Sequence, residues 1–107
     1  MKDEKKNSKL KALVLAGGYD QIALIKELKK RDYEVLLADY FENPPAKKEA
    51  DFFAQISTLD EDRIYEFAKK ERVNLVITAC TDQALLTTAN VSEKLGLSIC
   101  ILTDFQE

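Results

Sequence analysis

Histidine is missing altogether from this 107-residue chain. Its absence removes the commonest general base and the commonest metal ligand, so Ser-His-Asp triads and histidine-based zinc sites have no place here. Two cysteines, Cys80 and Cys100, stand in a chain with no secretory signal. They make no disulfide framework, and a spacing of twenty residues fits no zinc motif. Glycine and proline are scarce, with three and two residues, and no repeat, low-complexity tract or Gly/Ser linker interrupts the chain after its first residues. No apolar run approaches the ~20 residues needed to cross a bilayer, and the lysine-rich start lacks the apolar segment of a signal peptide. The expected compartment is the cytoplasm, with no membrane partner.

What is present suits one folded domain: 46% hydrophobic and 33% charged residues, enough apolar side chain to build a single core. The first eleven residues hold five lysines against Asp3 and Glu4, a local charge of +3, so residues 12–107 carry −6 within a total of −3. A surface of that sign does not track phosphates, and nucleic acid is not an expected partner. Residues 1–9 read as a solvated basic tail, expected to be poorly ordered, and residues 10–107 as the domain.

From Leu10 onward the apolar pattern alternates between strand and helix lengths. Lys11–Ala16 and Glu34–Asp39 are continuous apolar strands of the kind buried on both faces of a parallel sheet. Between them Gly17-Gly18 breaks the chain, and Asp20 is the expected N-cap of a helix reaching about Asp32 with Ile22, Ile25 and Leu28 inward. Asn43-Pro44-Pro45 excludes a helix interior or central strand, so residues 40–52 read as a loop with one helical turn near Ala46–Ala50. A short strand is expected near Phe53–Ile56. Thr58 and Glu61 have capping-box spacing ahead of a helix ending near Arg72, its stripe being Ile64, Phe67 and Ala68. A fourth strand follows over Asn74–Ala79. A third helix, capped by Thr81 or Asp82, reaches Leu95 and is stopped by Gly96. Ser98–Leu102 is the fifth strand. Connections of this length give right-handed crossovers, hence an α/β, Rossmann-like doubly wound parallel sheet of about five strands in order 3-2-1-4-5, with helices on both faces.

In such a sheet ligands lie beyond the carboxyl ends of the strands, where the winding reverses. That rule selects Gly17 to Asp20, Asp39 and Tyr40, Ser57 and Thr58, and Cys80 to Gln83. The glycine pair before a helix suits an anion, or is a tight turn; if Gly18 is the middle glycine of a G-x-G-x-x-G fingerprint, Ala16 and Gln21 occupy the other two glycine positions. Asp39 lies 21 residues after Gly18, near the offset of a ribose-binding carboxylate, and equally suits an Asx-turn accepting backbone N–H groups. Thr81 and Asp82 serve as a helix cap, or as cap and substrate contact together. Asp20, Asp39, Asp82 and Asp104 invite a phosphoacceptor or magnesium site, but an acidic pair after strand one and a lysine after strand five are both lacking. Cys80 has no histidine to activate it and reads as inert, as does Cys100.

Taken together, Leu13 to Gly18, Asp39, Asn43-Pro44, Ala50-Asp51, Ile56 to Asp60, Thr81 to Ala84 and Glu93 to Leu97 resemble the N-terminal, or pre-ATP-grasp, domain of ATP-grasp ligases. Within that superfamily the likeness is to carbamoyl-phosphate synthase-like and purine-biosynthetic carboxylate-amine ligases. The resemblance implies an enzyme that uses ATP and magnesium to make an acyl phosphate for attack by an amine. It also implies that ATP, magnesium and the catalytic residues belong to downstream ATP-grasp domains, so this chain holds no cofactor and no catalytic residue and is inactive without them. Gly17, Gly18 and Tyr19, with Asp39 and Tyr40 nearby, then form one wall of a pocket for a small carboxylate substrate, and Thr81 and Asp82 the opposite wall. A homodimer through the outer faces is a further expectation. The alternative is a stand-alone nucleotide or NAD(P)-binding Rossmann module.

Overall fold

Covering both faces of a sheet demands strands that are apolar on successive residues, and the two innermost strands meet that demand over Ala12–Leu15 and Val35–Ala38. The structure, a computed structural model, describes residues 10–79 and 83–97. In chain order its elements are β1 (Leu10–Leu15), α1 (Asp20–Lys30), β2 (Tyr33–Asp39), a 3-10 helix (Pro45–Glu49), β3 (Phe52–Gln55), α2 (Glu61–Glu71), β4 (Leu75–Ile77) and α3 (Gln83–Leu95). The four strands form one parallel sheet in the order β3-β2-β1-β4. The expected α/β class, the parallel sheet and the order of its first four strands are those observed. Ser98–Leu102, the expected fifth strand, lies outside the described residues, as do residues 1–9.

Side chains alternate across the sheet, so the two faces build separate cores. Ala12, Val14, Val35 and Leu37 meet Leu24, Ile25 and Leu28 of α1 and Ala46 of the 3-10 helix. Leu13, Leu15, Leu36 and Ala38 meet Ile64 and Ala68 of α2 and Ala84 and Val91 of α3. The helices therefore lie on both faces, as a doubly wound sheet requires.

Two caps differ from expectation. Asp20 is not the N-cap of α1 but its first residue; Tyr19 precedes it in helical geometry (φ −59°, ψ −30°) without a side-chain cap. The entry is instead made by backbone, with Gln21 N–H and Ile22 N–H donating to the carbonyls of Gly18 and Tyr19 at 3.0 and 3.1 Å, and Asp20 offsets the helix dipole from the first turn. The helix is also turned so that Gln21, Leu24, Ile25 and Leu28 face inward, leaving Ile22 half-buried. Likewise α2 is capped by Asp60, whose side chain accepts from Arg63 N–H at 3.3 Å, not by Thr58. The Ser57 hydroxyl and carbonyl hold the turn ahead of it, accepting from Leu59 and Asp60 N–H at 3.1 and 3.0 Å. Helix α3 ends as expected, at Gly96 with φ +75°.

Candidate functional site

The parallel strands send their carboxyl ends to one edge, where the loops after β1 and β2 lock together. Gly17 is buried there; its N–H donates to Asp39 Oδ2 at 2.8 Å and its carbonyl accepts from Ala46 N–H at 2.8 Å. A Cβ on Gly17 would sit 2.8 Å from both Cβ and Cγ of Pro44, so glycine is required for the proline to close on the turn. The other oxygen of Asp39 accepts from Phe41 N–H at 3.2 Å. Asp39 thus has the Asx-turn geometry that was one of its two readings, extended by a bond across to β1. Around Gly18, by contrast, nothing lies within 4 Å of where a side chain would start. Ala16 adopts a positive φ of 79° and stands at the first-glycine position of the fingerprint, a strain on the order of 1–2 kcal/mol for a residue with a Cβ.

Between these two loops lies an open depression of about 650 Å³, floored by Ala16, Gly17 and Gly18 and walled by Asp39, Phe41 and Glu42 with the following Asn-Pro-Pro segment. Its rim is apolar. Tyr19 is 78% exposed, Tyr40 63% and Phe41 66%, the last two rings meeting edge to face at 5.3 Å. Leu59, after β3, and Leu86, in the first turn of α3, are exposed at the same edge. Five of the seven exposed large hydrophobic side chains among the described residues therefore ring the carboxyl edge; the other two, Leu10 and Phe52, open their strands at the opposite edge.

Where β1 and β4 part, buried polar side chains replace the backbone ladder. Gln21, fully buried in the first turn of α1, accepts Ala79 N–H on its amide oxygen at 3.1 Å and donates from its amide nitrogen to Thr78 Oγ1 at 3.2 Å. Thr78 in turn donates its hydroxyl to the Leu15 carbonyl at 2.8 Å. Gln21 stands where the fingerprint has its third glycine, whose role is close helix-to-strand packing; here an amide fills that space. Sequence reasoning noted Gln21 only as a missing glycine and passed over Thr78. The available signal was a polar residue at an inward position of an otherwise apolar helix stripe, followed by a threonine ending an apolar strand.

Gly17, Gly18, Tyr19, Asp39 and Tyr40 are brought together at this edge. Ser57 and Thr58 also reach the carboxyl side, but as turn residues, the Thr58 carbonyl accepting from the Thr87 hydroxyl at 2.7 Å. Cys80, Thr81 and Asp82 lie outside the described residues, as does Asp104. Among the described residues no three carboxylate or cysteine groups converge as a metal site, and no helix is long and apolar enough to cross a membrane.

The family described as PylC-like, N-terminal domain, matches residues 12–101. None of the curated proteins matches the chain. Among solved structures, phosphoribosylglycinamide synthetase from Anaerococcus prevotii superposes with a TM-score of 0.74 at 20% identity over 83% of this chain and 23% of that one. N5-carboxyaminoimidazole ribonucleotide synthetase from Thermotoga maritima gives 0.67 at 20% identity over 86% of this chain and 24% of that one. UDP-glucose 4-epimerase from Thermotoga maritima gives 0.64 at 16% identity over 82% of this chain and 35% of that one. The likenesses establish a fold shared by ligases and an epimerase alike, and this chain spans about a quarter of the length of the two synthetases. By its match over residues 12–101, the chain belongs to the PylC-like N-terminal domain family, the type of N-terminal domain carried by ATP-grasp ligases.

Proposed function

We propose that this domain orients the acceptor substrate of an ATP-dependent carboxylate-amine ligase and is closed over by the ligase's ATP-grasp domains. The observation that carries the reading is the set of large side chains exposed at the carboxyl edge, Tyr19, Tyr40, Phe41, Leu59 and Leu86. Large side chains left in water on one edge mark a surface that another body covers. Under this reading Gly18 offers open backbone to a small carboxylate substrate, Tyr19, Asp39 and Tyr40 line the same wall, and Thr81 and Asp82 complete the opposite one. The domain's contribution is orientation, which accelerates a reaction only when the reacting groups are assembled around it.

ATP and magnesium are assigned to the other domains. The first turn of α1, where a dinucleotide fold receives phosphate, carries the acidic Asp20. The same residue and the buried Gln21 weigh against the stand-alone NAD(P) module. The nearer likeness to carbamoyl-phosphate synthase, a cytoplasmic location and a homodimer belong to this proposal as well.

Two measurements test it. Calorimetric titration of the 107-residue chain with NAD, NADP and ATP is expected to give no saturable heat; micromolar binding of any of them supports the stand-alone module instead. In the polypeptide carrying the ATP-grasp domains, Asp82→Ala is expected to raise the acceptor KM about tenfold, the worth of one hydrogen bond to a charged group, with the KM for ATP nearly unchanged. Unaltered acceptor kinetics removes Asp82 from the site.

A further inference from the structure

The ladder between β1 and β4 pairs Ala12 with Leu75, Leu13 with Val76 and Val14 with Ile77, and goes no further. One residue on, the connection from Thr78 to Leu15 is made by the threonine hydroxyl, and the Ala79 N–H bonds the amide of Gln21 in place of a strand carbonyl. Winding reverses at this point of the sheet, and α1 begins its first turn above it. Side-chain hydrogen bonds therefore join the two strand ends where the ladder stops.

We propose that Gln21 is a positioning residue: its amide sets the spacing between the glycine turn after β1 and the end of β4 at Thr78 and Ala79, and through that spacing the shape of the acceptor crevice. The second half of this statement rests on the ligase reading above; the first does not. Glutamine suits the task because one planar group must accept from Ala79 N–H and donate toward Thr78 Oγ1 at the same time. Ala79 N–H is a donor only, so the amide oxygen must face it and the orientation of the group is fixed. An ionised glutamate lacks the donor and would bury a charge. Asparagine is one methylene too short to span the same gap, and leucine or methionine offers neither bond. With 0% of Gln21 exposed, no water replaces a lost partner without first opening the packing.

The test begins with the 107-residue chain. Gln21→Met keeps an unbranched side chain of similar length and removes both bonds. Amide hydrogen exchange followed by NMR is expected to show Ala79 exchanging at least about tenfold faster, with Val35 to Ala38 in β2 unchanged once global stability is matched with denaturant. If Gln21→Met fails to fold, Gln21→Leu, which likewise removes both bonds, makes the same measurement. Equal protection of Ala79 in the variant and the parent overturns the proposal.

The second arm uses the polypeptide with its ATP-grasp domains. Gln21→Met is expected to raise the acceptor KM about tenfold while kcat and the KM for ATP stay within about twofold, and Gln21→Met with Thr78→Val adds little beyond the larger single effect, as for residues acting as one unit. Faster exchange at Ala79 with an unchanged acceptor KM overturns the positioning role. A parent enzyme with no ATP-dependent turnover of any carboxylate acceptor overturns the ligase reading, and the exchange result alone then decides whether Gln21 holds the strand ends.

Discussion

Adjacent glycines at the tip of β1 have different reasons to be glycine, and substitution separates them. A methyl group on Gly17 collides with the Pro44 ring at 2.8 Å and crowds Asp39 Oδ2 at 3.1 Å, so Gly17→Ala is expected to cost about 1–3 kcal/mol in urea unfolding. On Gly18 the same methyl meets nothing within 4 Å and no positive φ forbids it. Gly18→Ala is expected to be neutral or to stabilise by about 0.4–1 kcal/mol through the unfolded state. A second pair of residues is informative for the opposite reason. The hydroxyls of Thr88 and Ser92 are buried on the inner face of α3 without a hydrogen-bond partner. Removing a buried, unpaired oxygen removes its desolvation cost, so Thr88→Val and Ser92→Ala are each expected to stabilise by about 1 kcal/mol, read from the urea midpoint. A loss of stability in both would mean that these hydroxyls are paired in solution.

Among the elements, α2 and α3 are fastened by one carboxylate. Glu61 accepts from Asn90 Nδ2 at 3.1 Å and pairs with Lys94 Nζ at 3.2 Å. The Asn90 hydrogen bond, and then the Lys94 ammonium, hold its pKa below the ordinary 4.5 against a small opposing effect of burial. A carboxylate with a depressed folded-state pKa adds stability above its unfolded value and loses it as pH falls through the folded one. Glu61→Gln is accordingly expected to lower Tm slightly at neutral pH, with the difference from the parent shrinking as pH falls through the lowered folded-state value and the parent's carboxylate is protonated. A gap that persists in acid would assign the effect to packing instead. This fastening also explains why a capping box was the wrong reading of Thr58 and Glu61. The spacing is local information, whereas the carboxylate is claimed by a helix 29 residues away, and Asp60 is left to cap.

At the scale of the whole molecule, α1 and α2 run against the strands with acidic first turns (Asp20; Glu61 and Asp62) and basic last turns (Lys29 and Lys30; Lys69 and Lys70), while Lys94 in the last turn of α3 pairs with Glu61 and Asp62. The strand order of the described sheet and the burial of both its faces were legible beforehand, because unbroken apolar strands separated by amphipathic helices admit few other arrangements. So were the glycine turn, the Asx-turn alternative for Asp39 and the stop at Gly96, since each depends on backbone chemistry within a few residues. Not legible was which polar groups meet. That Gln21 faces Thr78 rather than solvent depends on the rotation of α1 about its axis, which Leu24, Ile25 and Leu28 set by packing on the sheet. That Gly17 answers to Pro44 depends on two loops, with these residues 27 apart in sequence, closing on each other. Periodicity and turn chemistry act over short stretches and determined the architecture and the edge where a ligand would lie. The partners at that edge are set by distances between elements, and these exist only once both cores have formed.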